Sequence, residues 1–342
     1  MISANRSKFT GSSDDLSQLL ELIQSSSDWR VTRLDVSSLN LFPVSPSLLT
    51  GALCRLEQVD LQFARLTGSQ VTAVLAGGSE DGGPRTERRR RTLQRLDVSG
   101  VDLSKVPADL VAAAVCSLTE VNITGTNLSQ DKLSLVFTSI MERENLRLEK
   151  LNVSNCGLSS VDPSVLSTVL SRLKSLNLHS VHLTAEQVAA VVQDIKLMDH
   201  LDLSYNDLSS LPADLAAEAL CRASHLNISG SSLTCQQTNS ILQLISNKDQ
   251  ETNLTNLDIC NNNLSSISPD ILSKVAAKLD QVNFNQTCLS SEQVTFLHNN
   301  LPTEKMKNIA IQGRGENAND CSQLSSLDVD TLLRDYLSSF KL

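Results

Sequence analysis

The sequence predicts an α/β solenoid: a curved coil of strand-plus-helix units, with parallel strands on its concave face and helices on its convex face. Two observations predict it. A short apolar phrase, Leu-x-x-Leu-x-Leu, recurs along most of the chain, and helix-start signals follow it at fixed offsets. Aligning the phrase on its second apolar residue gives Leu34, Val59, Leu96, Val121, Leu151, Leu176, Leu201, Leu226, Leu257, Val282 and Ile309. Successive spacings are 25, 37, 25, 30, 25, 25, 25, 31, 25 and 27 residues, which matches units of roughly 20–29 residues, some carrying insertions. A strand of about five residues and one helix cannot bury their apolar faces alone, so the units must stack on a shared core.

The units come in two kinds that alternate. The first kind is always 25 residues long and places a Pro at the start of its helix: Pro46, Pro107, Pro163, Pro212 and Pro269. Pro suits a first helical turn because its missing N–H has no intrahelical partner there. The second kind follows its strand with Leu-Thr-Gly-Ser-Gln-Val (66–71), Leu-Thr-Ala-Glu-Gln-Val (183–188) or Leu-Ser-Ser-Glu-Gln-Val (289–294). There Thr or Ser precedes an acidic or amide residue in the pattern of a helix N-cap and its partner. Within each strand, pairs such as Leu34 and Val36 or Leu201 and Leu203 point into the core with period two.

The ends repeat the pattern in incomplete form. Residues 1–33 are expected to be an N-terminal capping half-repeat, 34–323 about eleven units, and 324–342 a C-terminal capping half-repeat.

This alternation of unit types resembles the leucine-rich repeats of the ribonuclease-inhibitor type, which also form the sensor region of NOD-like receptors. The resemblance runs from about Phe9 to Phe340 and implies a horseshoe that binds proteins. Departures exist. Most units are shorter than that family's usual length of roughly 28–29 residues. The Asn/Cys position of the motif is filled properly only at Cys156, Asn206 and Asn262, and elsewhere holds Thr126, Thr287, Ser231, Val101 or Val181. The resemblance also raises two other functions, regulation of a small GTPase and innate-immune recognition.

Composition narrows the classes further. Aromatic residues are 3 % of the 342, so the core must be aliphatic, and the net charge of −9 disfavours a broad nucleic-acid surface. No apolar run resembles a signal-peptide core or approaches a membrane span, and the chain is expected to be a cytoplasmic monomer. The cysteines (Cys54, Cys116, Cys156, Cys221, Cys235, Cys260, Cys288 and Cys321) are expected to be reduced and mostly inaccessible, with Cys54, Cys116 and Cys221 recurring as small buried hydrophobes. Asn-x-Ser/Thr acceptors such as Asn122, Asn152 and Asn227 fall inside predicted strands, which argues against glycan sites.

Catalytic motifs are lacking. The chain has no P-loop, Gly-x-Ser-x-Gly, His-Glu-x-x-His or Cys-x-x-Cys pattern. Gly313 to Ala318 formally fits a dinucleotide fingerprint, but no apolar helix start follows it. His179 and His182, or His200 and His225 on adjacent strands, fall short of the ligands a metal site needs. The expectation is therefore no enzyme, no cofactor and no metal. Arg85 to Arg91 belongs to an insertion after the second helix and reads as a solvated loop or a nuclear-import signal.

The strand positions facing the concave side divide into a constant and a variable part. The column Asp35, Asp60, Asp97, Asn122, Asn152, Asn177, Asp202, Asn227, Asp258 and Asn283 is regular enough to be structural. The column Arg33, Gln58, Arg95, Glu120, Lys150, Ser175, His200, His225, Asn256 and Gln281 varies, as partner recognition requires. Interfaces depend on aromatic and Arg anchors, so the candidate partner-binding residues are Phe63, Arg95, Lys150, His179, His200, Tyr205 and His225, with the centre at the last four. His200, Tyr205 and His225 are expected to contribute little to burial. The partner is expected to be a protein, bound through the concave face or through the edge from which the insertions of the second kind of unit, 77–91, 141–147 and 247–253, should project.

Overall fold

The computed structural model describes residues 9–25, 32–78, 93–247 and 252–311. Among them, eleven strands form one parallel sheet in sequence order: β1 (Arg33–Asp35), β2 (Gln58–Asp60), β3 (Arg95–Asp97), β4 (Glu120–Asn122), β5 (Lys150–Asn152), β6 (Ser175–Asn177), β7 (Met198–Asp202), β8 (Ala223–Asn227), β9 (Asn256–Asp258), β10 (Gln281–Asn283) and β11 (Ile309–Ala310). The repeat residues lie opposite one another, from Leu34 against Val59 to Val282 against Ile309. Most strands hold three residues rather than about five. Pairing nevertheless runs on past them: the Val36 N–H donates to the Asp60 carbonyl at 3.0 Å and the Ser38 N–H to the Gln62 carbonyl at 2.7 Å.

The helices are α1 (Ser13–Ser25), α2 (Pro46–Leu53), α3 (Gly68–Gly78), α4 (Ala108–Ser117), α5 (Gln130–Glu142), α6 (Pro163–Arg172), α7 (Ala185–Asp194), α8 (Ala213–Leu220), α9 (Cys235–Ser246), α10 (Pro269–Lys278), α11 (Ser291–Asn300) and the single turn α12 (Thr303–Met306). One apolar cluster runs from Leu16 in α1 to Leu301 after α11. Pro46, Pro163 and Pro269 occupy the first helical turn as expected. Pro107 and Pro212 instead sit at the N-cap of α4 and α8, where no side chain caps the helix.

The two kinds of unit are joined by two kinds of clamp. In the second kind, the N-cap and the amide three residues later form the anticipated capping box, as Thr184 with Gln187, Thr234 with Gln237 and Ser290 with Gln293. The same amide does more than cap. Its nitrogen crosses to the preceding unit and donates to two buried carbonyls: Gln187 to Leu158 and Val161 at 2.7 and 2.6 Å, and Gln237 to Leu208 and Leu211 at 2.9 and 2.7 Å. Gln70 does so to Leu41 and Val44, and Gln293 to Leu264 and Ile267. In the unit of α5 the position holds Lys132, whose ammonium donates to the Ser104 and Val106 carbonyls, both at 2.6 Å.

The opposite joint uses a base at the helix end of the first kind. Arg55 donates to the Gln24 carbonyl, Arg222 to Ile195 at 2.9 Å, and Lys278 to Asn247 at 3.0 Å. Arg172 covers the carbonyls of Ile140, Met141 and Arg143 at the end of α5. Cations belong there, because helix C-termini leave carbonyls without intrahelical partners and carry partial negative charge.

The regular Asp/Asn column is structural, as its constancy suggested. Every one of its ten side chains accepts the backbone N–H two residues later, at 2.9–3.1 Å. Three of its asparagines also donate to the aspartate of the preceding strand: Asn122 to Asp97, Asn227 to Asp202 and Asn283 to Asp258. At the N-terminal end the neighbours are Asp35, Asp60 and Asp97, with no asparagine between them. Burial, with the charges of Asp97 and Asp35, pushes the Asp60 carboxyl up to about 6. Asn206 and Asn262 each donate to three carbonyls inside the coil. Thr126, Thr287, Ser231 and Cys156 make fewer such bonds in the same place.

Some expectations need adjusting. Cys116, Cys156 and Cys221 are buried free thiols, but Cys54 is half-buried against Gly77 at the end of α3, and Cys235 is exposed because it opens α9. The insertion read as 141–147 begins later, since α5 continues through Glu142. The other two insertions (most of 77–91 and 247–253), the Arg85 to Arg91 run, Gly313 to Ala318, Cys321 and the segment 324–342 lie outside the described residues.

These joints make three measurable predictions. Gln187→Leu strands buried carbonyls and the Thr184 N–H, and should cost about 2–4 kcal/mol in urea unfolding, whereas Gln187→Lys, which copies Lys132, should lose less than half as much. For Asp60, the raised carboxyl means that stability is fully present below the ordinary carboxylate range and is lost as the pH rises through about 6. Asp60→Asn should therefore melt about 2–4 °C higher than the parent at pH 8, with the gap narrowing below pH 6 and closing at about pH 4. A bulky maleimide should modify Cys235 well before Cys116, Cys156 and Cys221, as peptide mapping of the labelled native protein would show.

Candidate functional site

Side chains reach the concave side from three positions per unit: the residue before the buried strand leucine, the Asp/Asn residue after it, and the residue two positions further on. The third position is mostly small, and Ser37, Ser99, Thr124, Ser154, Ser204 and Ser229 are all buried. The floor is thus a strip of tied-down Asp, Asn, Ser and Thr. Anything that projects from it does so at the two rims.

One rim carries His200 and His225, in register on β7 and β8. Their rings stack with centroids 4.1 Å apart and planes at 28°. The His225 Nδ1 lies 3.1 Å from the Asp199 carbonyl, which can only accept, so this nitrogen carries the proton. Burial first, then the charges of His225 and Lys150, hold the His200 imidazole below its usual range, against the opposing pull of Asp199. Lys150 stands in the same column on β5, with the small Ser175 between it and His200.

The other rim is built on backbone conformation. The residue four after each repeat position adopts a left-handed conformation in ten successive units, with φ between 51° and 69°: Ser38, Phe63, Gly100, Gly125, Asn155, Ser180, Tyr205, Gly230, Asn261 and Gln286. Gly and Asn suit this region best; other side chains there are strained by about 1–3 kcal/mol. Phe63 and Tyr205 are the two aromatic residues among the ten, and each lies against the glycine of the next unit. A Cβ on Gly100 would come within 2.2 Å of the Phe63 ring, and one on Gly230 within 2.9 Å of Tyr205. Glycine there makes the room that each ring needs.

Tyr205 is half-buried rather than free, a correction to the expectation that it adds little to burial. Its ring meets His179 edge to face at 5.1 Å, and its hydroxyl accepts from Asn261 Nδ2 at 3.1 Å, two units away. Burial pushes the phenol up to about 12, so it stays neutral. The Ser204 hydroxyl donates to Asp202 at 2.5 Å and sits 2.7 Å from His179 Nδ1. Because the serine proton is committed to Asp202, His179 must donate through Nδ1.

A serine, a histidine and an aspartate in contact raise the question of a hydrolase. The order is wrong for one: a nucleophile needs its serine exposed and its carboxylate on the imidazole. Here Ser204 is fully buried and holds the carboxylate itself. The relay fixes the ring of His179 and does not prepare an attack. No group of three or more His, Cys, Asp or Glu residues able to hold a metal occurs among the described residues, and no helix there is long and apolar enough to cross a membrane.

The candidate residues thus fall into two groups. Lys150, His179, His200, Tyr205 and His225 gather on β5 to β8, the histidine stack on one rim and Tyr205 with His179 on the other, about 13 Å across the strip at strand rise. Phe63 and Arg95 lie several units away; Phe63 is exposed, and Arg95 pairs with Glu120 at 3.3 Å. Sequence reading missed Asn261 and the Ser204–Asp202 relay. The left-handed position was findable, because Ser, Gly and Asn dominate it.

Comparison with known proteins bears on the fold. The Leucine Rich Repeat family model matches residues 147–169 and 253–275, both in units of the first kind. Among solved structures, the leucine-rich-repeat-containing protein LegL7 from Legionella pneumophila is similar at 17% identity, covering 90% of this chain and 98% of that one with a TM-score of 0.49. A chain of the Rad7 and Elc1 complex of yeast is similar at 16% identity, covering 85% of this chain and 68% of that one with a TM-score of 0.52. No curated protein matches the chain in sequence. With its repeat phrase matched by the family model at two places and its eleven parallel strands paired in register, the chain carries leucine-rich repeats and has the fold of a leucine-rich-repeat solenoid.

Proposed function

We propose that the protein is a non-enzymatic scaffold that binds a protein partner along its concave strip, centred on β5 to β8, with residues 1–33 and 324–342 capping the coil. The observation that carries this reading is Tyr205. A large aromatic residue held in a left-handed turn works against the stability of the fold, and the next unit supplies a glycine to receive it. Strain kept in this way points to a use outside the core. The facing His200–His225 stack adds two more rings that bury little of the apolar interior.

Repeat coils use such extended faces for recognition, and rings at the edges of a polar strip are the anchors that interfaces favour. Free buried thiols support work in a reducing compartment. The yeast relative by structure comes from a protein complex, which fits a scaffold.

The test compares wild type with the variant His200→Ala, Tyr205→Asn, His225→Ala, where Asn suits the left-handed turn. The histidine changes should alter stability by within about 0.5 kcal/mol each. Partners retained from a native lysate by the wild type and lost by the variant should be identified by mass spectrometry and their affinity measured. Each anchor is expected to contribute about 1–2 kcal/mol. Unchanged retention by a variant with an unchanged melting curve would move the site off this strip.

A further inference from the structure

We propose that Lys150 and the His200–His225 stack form a receptor for an acidic segment of the protein partner, whose carboxylates dock more tightly as the two imidazoles take up protons; this rests on the concave-strip reading above. The three residues share one column. Lys150 on β5, Ser175 on β6, His200 on β7 and His225 on β8 are direct register partners. Adjacent strands lie about 4.8 Å apart, so Lys150 and His200 stand about 10 Å apart across the sheet, and the Lys150 charge acts on the His200 imidazole. The small Ser175 between them sets the gap across which the ammonium and the rings would share a carboxylate.

The chain does not fill the gap itself. Lys150 makes no ion pair among the described residues, and neither ring nitrogen of His200 has a hydrogen-bond partner there. The other charged groups around the stack are spoken for or lie to one side. Glu149 and Lys174, beneath the column, pair with each other at 2.9 Å. Asp199 precedes His200 and attracts it, while its carbonyl holds the His225 ring. From β9 the neighbour is the neutral Asn256, bonded to Gln281 at 2.8 Å. His179 and Asp202 sit across the strip at the other rim.

Two neutral imidazoles stack readily, but two imidazolium rings 4.1 Å apart repel each other and repel Lys150. A carboxylate placed among the three cancels that repulsion and accepts from the outer ring N–H groups that protonation creates. Anion and proton therefore favour each other. By linkage, every unit by which the anion raises a histidine pKa makes its binding tenfold tighter at low pH than at high pH.

The test follows the histidine ring C–H signals of the full chain by NMR between pH 5 and 8. It is run with millimolar Ac-Gly-Glu-Glu-Gly-NH2 and with its neutral counterpart Ac-Gly-Gln-Gln-Gly-NH2. The glutamate peptide alone should raise the His200 midpoint by about half a unit, which corresponds to about threefold tighter binding at low pH. Lys150→Gln should weaken the peptide at every pH. His200→Gln with His225→Gln should abolish the pH dependence while the melting curve stays put. Equal shifts from both peptides, or a pH dependence that survives in the double variant, would overturn the receptor. If the glutamate peptide fails while the concave variant of the previous section still loses its partner, the strip stands and the acidic chemistry falls. If the peptide binds while that variant keeps its partner, the receptor does not serve the partner.

Discussion

The whole coil depends on one backbone requirement. Each unit must leave its short strand by a left-handed turn, so that the turn residue's N–H can donate to a carbonyl of the next unit. The Ser38, Phe63, Gly100 and Asn155 N–H groups all do this, to Gln62, Ser99, Thr124 and His179. The Asp/Asn side chain one residue past the buried leucine stabilises the turn by accepting the N–H two residues on, and the buried Asn, Thr or Ser after it closes the inside. A column of ten Asp and Asn residues therefore reflects the turn before it reflects any ligand. Specificity is left to the positions that the turn does not use.

The alternation of unit types has a chemical cause at the joints. A first-kind unit ends its loop with two inward carbonyls, and the amide of Gln70, Gln187, Gln237 or Gln293 in the following unit satisfies both. A second-kind unit ends its helix with exposed carbonyls, and the base of the next unit, Arg55, Arg172, Arg222 or Lys278, takes them. Neither kind can follow itself without leaving one set unmet. Lys132 shows that the joint needs a long donor rather than an amide in particular.

The sequence made most of this scaffold legible, because its signals are periodic. Leu34 through Ile309 gave strand order and register, and Thr184 with Gln187 gave a helix start. Less visible was that Gln187 has two jobs, since capping already explains a Gln at that position, and only three dimensions show the carbonyls of Leu158 and Val161 beneath it. The site was half legible. Adjacent repeat positions put His200 beside His225 from spacing alone. The union of Tyr205 with His179 and Asn261 was not readable, because it depends on a ring lying flat across Gly230, and the glycine carries no label that separates this use from an ordinary turn.

Local rules are broken most clearly along the concave strip. Phe63 and Tyr205 hold conformations that suit smaller residues, and Asp60 keeps a carboxylate between two others where asparagine elsewhere in the column resolves the same crowding. His200 is kept below its ordinary protonation range by burial first and then by the charges of its neighbours. Each of these departures would be relieved by a group from outside: a surface that covers the ring, or a charge that answers the carboxylate or the imidazole. A scaffold selected for stability alone would replace them with the Ser, Gly and Asn that it already uses in the equivalent positions of other units. Their gathering on one face is what the partner-binding role proposed for that face would require.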